Sequence, residues 1–189
     1  VLIDPAGVIY DSISREPIKG ATVELNFNGN LVDSSWLDLN LGGPNSQITD
    51  SDGQYNFILN SNAESGKYSI NVIPIEGYKF PSESIPAELD AYTPNLGGGI
   101  EEIQPQDEAP RGSDQTTYYL DINFSITNES SSTSNGIINN HIPLDESIPP
   151  LISGPGLEDG TIKINEGDTL VGKFSSNESV SWSLRGEDK

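Results

Sequence analysis

The sequence contains no cysteine. That excludes disulfides, thiol catalysis and cysteine-based zinc sites, and it leaves the compartment open. Histidine occurs once, at His141. A single imidazole with no thiol is a poor start for zinc, and a Ser-His-Asp triad would need a nucleophile elbow that the chain lacks. Positive charge is scarce as well: 9 Lys and Arg stand against 29 Asp and Glu, for a formal net charge of −20. Such a surface repels phosphate backbones and anionic lipids, so neither nucleic acid nor membrane insertion is expected, and cations are the natural small partners. No run of about 18 apolar residues occurs, so no segment reads as a spanning helix. There is no signal-peptide pattern and no initiator Met. The chain starts at Val1 as if mid-protein and is expected to be a piece of something longer.

What is present is a β pattern. Low hydrophobicity with high net charge is the composition of disorder. Here, however, short blocks of alternating Val, Ile, Tyr and Phe recur between turn residues, and helical periodicity is nowhere convincing. "AGVIYD" reads as a strand, followed by a loop from Asp11 to Pro17. "ATVELNF" places Ala21, Val23, Leu25 and Phe27 on one face and Thr22, Glu24 and Asn26 on the other, the mark of a half-buried antiparallel strand. Asn28-Gly29 is a hairpin signal, with Leu31 to Asp33 returning on the same strand. "GKYSINVIP" groups Tyr68, Ile70 and Val72 and stops at Pro74. "TTYYLDINFSIT" is the clearest alternation, with Tyr118, Leu120, Ile122, Phe124 and Ile126 on one side.

The predicted architecture is all-β: an antiparallel β-sandwich over residues 1–127 with a long Pro/Gly-rich insertion at 81–116, exposed and irregular. Its expected core is Val8, Val23, Leu25, Tyr55, Phe57, Tyr68, Ile70, Leu120, Ile122 and Phe124. Residues 128–150 read as a linker. Residues 151–189 read as a partial second β domain, too poor in large apolar side chains to build a core alone.

Candidate sites are few. In "QITDSDGQYNF", Asp50 and Asp52 could hold calcium, the one cofactor the sequence offers. Calcium takes about six to eight oxygen ligands, and the bidentate Glu of an EF-type loop is missing here. A site would have to recruit Asp11, Asp33 or Asp38 from neighbouring loops. The simpler reading is a hairpin turn between Gln47–Thr49 and Tyr55–Leu59, with Asp52-Gly53 at positive φ and Asp50 capping the turn from its side chain. Glu101-Glu102 with Asp107-Glu108 could pass for the carboxylates of a glycosidase, but nothing fixes their separation, and they read as solvated acids. Asn128 and Asn177 open N-x-Ser sequons of the kind an Asn/Ser-rich chain produces by chance.

The order "GVIYD … PIKGATVEL … TDSDGQYNF … SGKYSINV" resembles the carboxypeptidase-regulatory-like and collagen-adhesin B-type modules, including those of serine-aspartate-repeat adhesins. The resemblance covers about residues 5–80, with Tyr118 to Thr127 as a final strand. It implies a transthyretin-like (prealbumin-like) sandwich serving as a stalk or accessory module of a secreted or bacterial cell-surface protein, without catalysis. Its partners would be neighbouring modules of the same chain, or a glycan or protein gripped by the 81–116 segment or the Trp36 loop. Some collagen-adhesin modules crosslink Lys to Asn. Lys19 and Asn123 stand at candidate positions, but Val72 falls near where that family places a Glu. The tail "IKINEGDTLVGKFSSNESVSWSLRGED" resembles the start of a cadherin-like repeat, with Glu166 at an early calcium-ligating position. "SSNES" departs from the Asp-x-Asp expected there. "LIDPAG" and "PLDESI", at Pro143 to Ile148, read as two copies of one module junction.

Overall fold

The structure, a computed structural model, describes residues 5–94, 101–125 and 137–147, and the short strands at 152–153, 157–158, 161–162 and 175–176. The chain divides into two compact units, Val1–Glu146 and Ser147–Lys189. Among the described residues the one helical element is a 3-10 turn, Ser34–Trp36. The strands of the first unit are β1 (Ala6–Asp11), β2 (Thr22–Phe27), β3 (Asn30–Leu31), β4 (Gln47–Ile48), β5 (Gln54–Asn56), β6 (Gly66–Ile73), β7 (Tyr78–Lys79), β8 (Glu101–Glu102), β9 (Asp121–Phe124), β10 (Ile137–Ile138) and β11 (Ile142–Glu146).

One sheet is antiparallel, in the order β3-β2-β6-β9, with β4 also pairing with β2. Its longest ladder runs from Thr22↔Ile73 to Phe27↔Tyr68. Period-two alternation sorts its residues. Val23, Leu25, Tyr68, Ile70, Val72, Ile122 and Phe124 are all buried in one core. The opposite face carries a polar lattice in which Glu24 accepts from Asn71 and Ser46, and Asp121 accepts from Ser69 and Lys67. Each fully buried Leu or Ile contributes about 1.5–3 kcal/mol, so a one-residue slip of this sheet is prohibitive. The β2–β3 hairpin turns through Asn28 and Gly29, both at positive φ (51° and 79°), as the Asn-Gly signal predicts.

The other sheet is mixed, in the order β5-β1-β11-β7. β1 and β11 run parallel, in the register Ile9↔Ile142, Tyr10↔Pro143 and Asp11↔Leu144. Both faces of this pair are covered. Ile9, Ile142 and Leu144 join the main core, whereas Val8 and Tyr10 pack with Ala109 and Ile85 in a second cluster. The buried runs of β1 and β11 follow from this. β8 and β10 form a separate parallel pair.

Four expectations change. Val8 is buried against the 81–116 segment and not in the main core, because β1 has no solvent face. Leu120 packs against the main core as expected but is only half-buried, and the last strand begins at Asp121 and not at Tyr118, running to Phe124, with Ile126 and Thr127 outside the described residues. The predicted insertion is irregular but not simply exposed: Ser82, Ile103, Gln104 and Ala109 are buried. Residues 137–146, read as linker, supply β10 and β11 to the first unit. The rest of the predicted linker, 128–136 and 148–150, lies outside the described residues.

In the second unit, β12 (Ile152–Ser153) pairs with β15 (Ser175–Ser176), and β13 (Leu157–Glu158) pairs with β14 (Thr161–Ile162), both antiparallel. Glu166 lies outside the described residues.

Candidate functional site

The "TDSDGQY" turn does not join two strands of one hairpin. β4 pairs with β2 and β5 pairs with β1, so residues 49–53 carry the chain from one sheet to the other. Asp50 does cap the turn: its Oδ1 accepts from the Asp52 and Gln54 amides at 3.0 and 3.2 Å. Of the Asp52-Gly53 pair, only Gly53 takes positive φ, at 69°. A Cβ there would meet the Ile9 carbonyl oxygen at 2.5 Å, and that same region is tied by the Ile9 amide donating to the Gly53 carbonyl at 2.8 Å. Glycine is therefore required twice, by conformation and by space.

Asp11, the proposed third ligand, is buried at the end of β1, where its Oδ1 accepts from the Ile13 and Ser14 amides at 2.9 and 2.6 Å. Burial alone would raise its pKa; the hydrogen bonds outweigh burial and lower it. Asp33 and Asp38 are likewise spent on turn amides. Among the described residues, no three His, Cys, Asp or Glu side chains converge as metal ligands. The structure therefore does not gather Asp50, Asp52 and Asp11 into such a group. Lys19 is exposed, and Asn123 Nδ2 donates to Thr93 at 3.0 Å, which removes the geometry for a buried Lys–Asn crosslink.

The polar groups that the fold does concentrate lie along β1 and the 139–145 segment. His141 is buried: its Nδ1 accepts the Val8 amide at 3.0 Å and its Nε2 faces the Gln106 carbonyl at 2.7 Å. These partners fix the neutral tautomer with the proton on Nε2. Burial lowers the imidazole pKa against the opposing pull of the Gln106 carbonyl and Asp107. Gln104, fully buried, donates to the His141 carbonyl at 3.0 Å. Asp145 receives the Ser82 hydroxyl at 2.6 Å and the Glu83 and Ser84 amides at 2.7 and 3.1 Å. Burial opposes its ionisation, but these donors win and hold its pKa far below the carboxylate range.

Three side-chain amides act as substitute strands. Asn140 exchanges both hydrogen bonds with the Tyr119 backbone, at 2.9 and 2.8 Å. Asn45 does the same with Leu25, filling the gap between β3 and β4 on the edge of β2. Gln47 does so with Asn56 and closes the outer edge of β5. A carboxamide carries one donor and one acceptor at about peptide spacing, so it can satisfy an edge residue without supplying a strand. No sequence reading singled out Asn45, Gln47 or Asn140 for this. The residue types allow it, but the partner of each is set by the fold.

An open cleft flanks this region. Two adjoining hollows of about 380 and 230 Å³ share Val8, Gln54 and Asp107. The larger has Val8, Pro17 and Ala109 on its apolar side and Asp52, Asp107, Glu108 and Arg111 on its polar side. One Asp107 oxygen already accepts from Asn139 at 3.2 Å. The Trp36 ring is half-buried edge-on against Phe27, with centroids 5.3 Å apart, so it is not a free stacking platform. No protein-family model matches the chain, and no curated protein matches its sequence.

Proposed function

We propose that this chain is a non-enzymatic structural module that spaces or presents neighbouring parts of a large secreted or bacterial cell-surface, adhesin-like protein. In this reading the first unit is a transthyretin-like sandwich with a long Pro/Gly-rich insertion, and the second is the start of a cadherin-like repeat. The observation that carries it is the placement of the first unit's first and last strands, the two central strands of the mixed sheet. The chain enters along β1 and leaves along β11, side by side and in the same direction. Entry and exit therefore lie at opposite ends of one sheet, the arrangement that strings modules end to end. The buried polar groups support the same reading, because His141, Gln104, Asn140 and Asp145 are committed to backbone partners. The net charge of −20 suits a solvent-facing chain. The test is the end-to-end length of one, two and three tandem copies by small-angle scattering. A constant increment per copy is expected, and compact particles would refute the spacer reading.

A second reading, a binding module for a glycan or protein, is favoured by the cleft beside β1 and β5. Amide and carboxylate groups over an apolar floor suit hydroxyl-rich or cationic ligands. Titration with saccharides or a basic peptide, followed by NMR, would show saturable shifts centred on Val8, Gln54 and Asp107. Shifts spread over the whole acidic surface would count against it.

A further inference from the structure

We infer that the β1–β11 pair is a tension clamp: pulling on the two ends of the first unit loads its parallel ladder in shear, and the unit resists extension along the chain far better than separation across it. Any purpose this serves in a longer protein rests on the spacer reading, whereas the mechanics rest on geometry alone.

The argument starts from direction. The strands are parallel and adjacent, and they belong to opposite ends of the unit, His141 lying 133 residues from Val8. Tension applied ahead of Ala6 and beyond Glu146 slides one strand past the other along their common axis. Parallel ladder bonds are evenly spaced, so they share such a load and must fail together. When the strands are pulled apart from one end, each bond carries the whole load in turn.

The bonds that resist sliding extend beyond the ladder. Ahead of Ile9↔Ile142, the Asn140 amide donates to the Ala6 carbonyl at 3.0 Å, and the Val8 amide donates to His141 Nδ1 at 3.0 Å. After Asp11↔Leu144, the Ser12 amide donates to the Leu144 carbonyl at 2.9 Å. The imidazole thus stands where a further backbone acceptor would. The clamp is also held from both faces. Toward the core, the Tyr55 hydroxyl donates to the Asn140 carbonyl at 2.7 Å. On the other face, Gln104 holds the His141 carbonyl, and Ser82 to Ser84 grip Asp145.

The absence of native cysteine makes thiol handles unambiguous. Single-molecule pulling on the full chain would compare two attachments. The shear pair is a cysteine added ahead of Val1 with Ser147→Cys. The peeling pair is Ile13→Cys with Ser147→Cys, which grips the same end of both strands. Ser147 is exposed and Ile13 is 71% exposed, so both handle sets leave the core intact. With three register pairs and the flanking bonds sharing the load, the shear geometry should need at least about three times the force of the peeling geometry at equal loading rate. Equal forces would overturn the inference. His141→Phe, which deletes the Val8 acceptor, should lower the shear force, and an unchanged force would remove His141 from the clamp. A force ratio of about three or more in a chain whose tandem copies stay compact would keep the clamp and discard the spacer reading. Extended copies with equal forces would do the reverse.

Discussion

Replacing Asn140 with leucine tests whether a side-chain amide can serve as a strand. Asn140 is fully buried, and leucine has nearly its volume, so little cavity arises. What disappears is the exchange with Tyr119, one bond accepted at 2.9 Å and one donated at 2.8 Å. Tyr119 is half-buried, so its freed N–H and C=O recover part of their hydration. Taking the lower part of the range for an orphaned polar group, the loss is about 1–2 kcal/mol each, or about 2–4 kcal/mol together. For a unit of this size each kcal/mol lowers Tm by about 3 °C, so a drop of about 6–12 °C is expected by calorimetry. Asn62→Leu, at an exposed amide, serves as the reference and should stay within about 0.5 kcal/mol. Amide hydrogen exchange supplies the local reading, since protection at Tyr119 should fall in the Asn140 variant alone. A Tm shift for Asn140→Leu no larger than that of Asn62→Leu would refute the substitute-strand reasoning.

Three further outcomes follow from the same geometry. His141 has a folded pKa below its unfolded value, so its stabilising contribution is complete above about pH 6.5 and is lost as pH falls further, by up to about 1.4 kcal/mol per unit. Urea unfolding at pH 7 and pH 5.5 should show a loss that His141→Phe lacks, and equal slopes in the two proteins would contradict the buried neutral imidazole. Asp145 also has a lowered folded pKa, so its contribution holds above about pH 4 and fades below it; Asp145→Asn, which loses the charged acceptor of Ser82 and two amides, should cost about 2–4 kcal/mol at pH 7 by denaturant titration. Calorimetric titration with calcium at fixed high ionic strength should give no saturable signal from the 50–53 turn, and stoichiometric binding abolished by Asp50→Asn/Asp52→Asn would reverse the turn reading.

The sequence by itself determined the antiparallel sheet. One of its faces is polar, so alternation in "ATVELNF", "GKYSINV" and "LDINF" sorts inward from outward residues, and Asn-Gly sets the β2–β3 turn. It also determined that Asp50 would cap its own turn, since an Asx cap is local chemistry. Only the tertiary structure decided the mixed sheet. β1 and β11 are buried on both faces, which erases alternation, and "IPLDE", with Pro143 inside it and Pro149-Pro150 after it, looks like linker until it finds a parallel partner more than a hundred residues away. The same holds for where the 49–53 turn leads. A turn motif specifies its own hydrogen bonds but not which sheet receives the next strand, and that choice depended on Gly7 and Gly53 leaving room beside β1. The roles of Asn45, Gln47 and Asn140 were equally hidden, as were the partners of the buried His141. Each side chain announces what it can donate or accept, and only the folded backbone brings the group that takes it up.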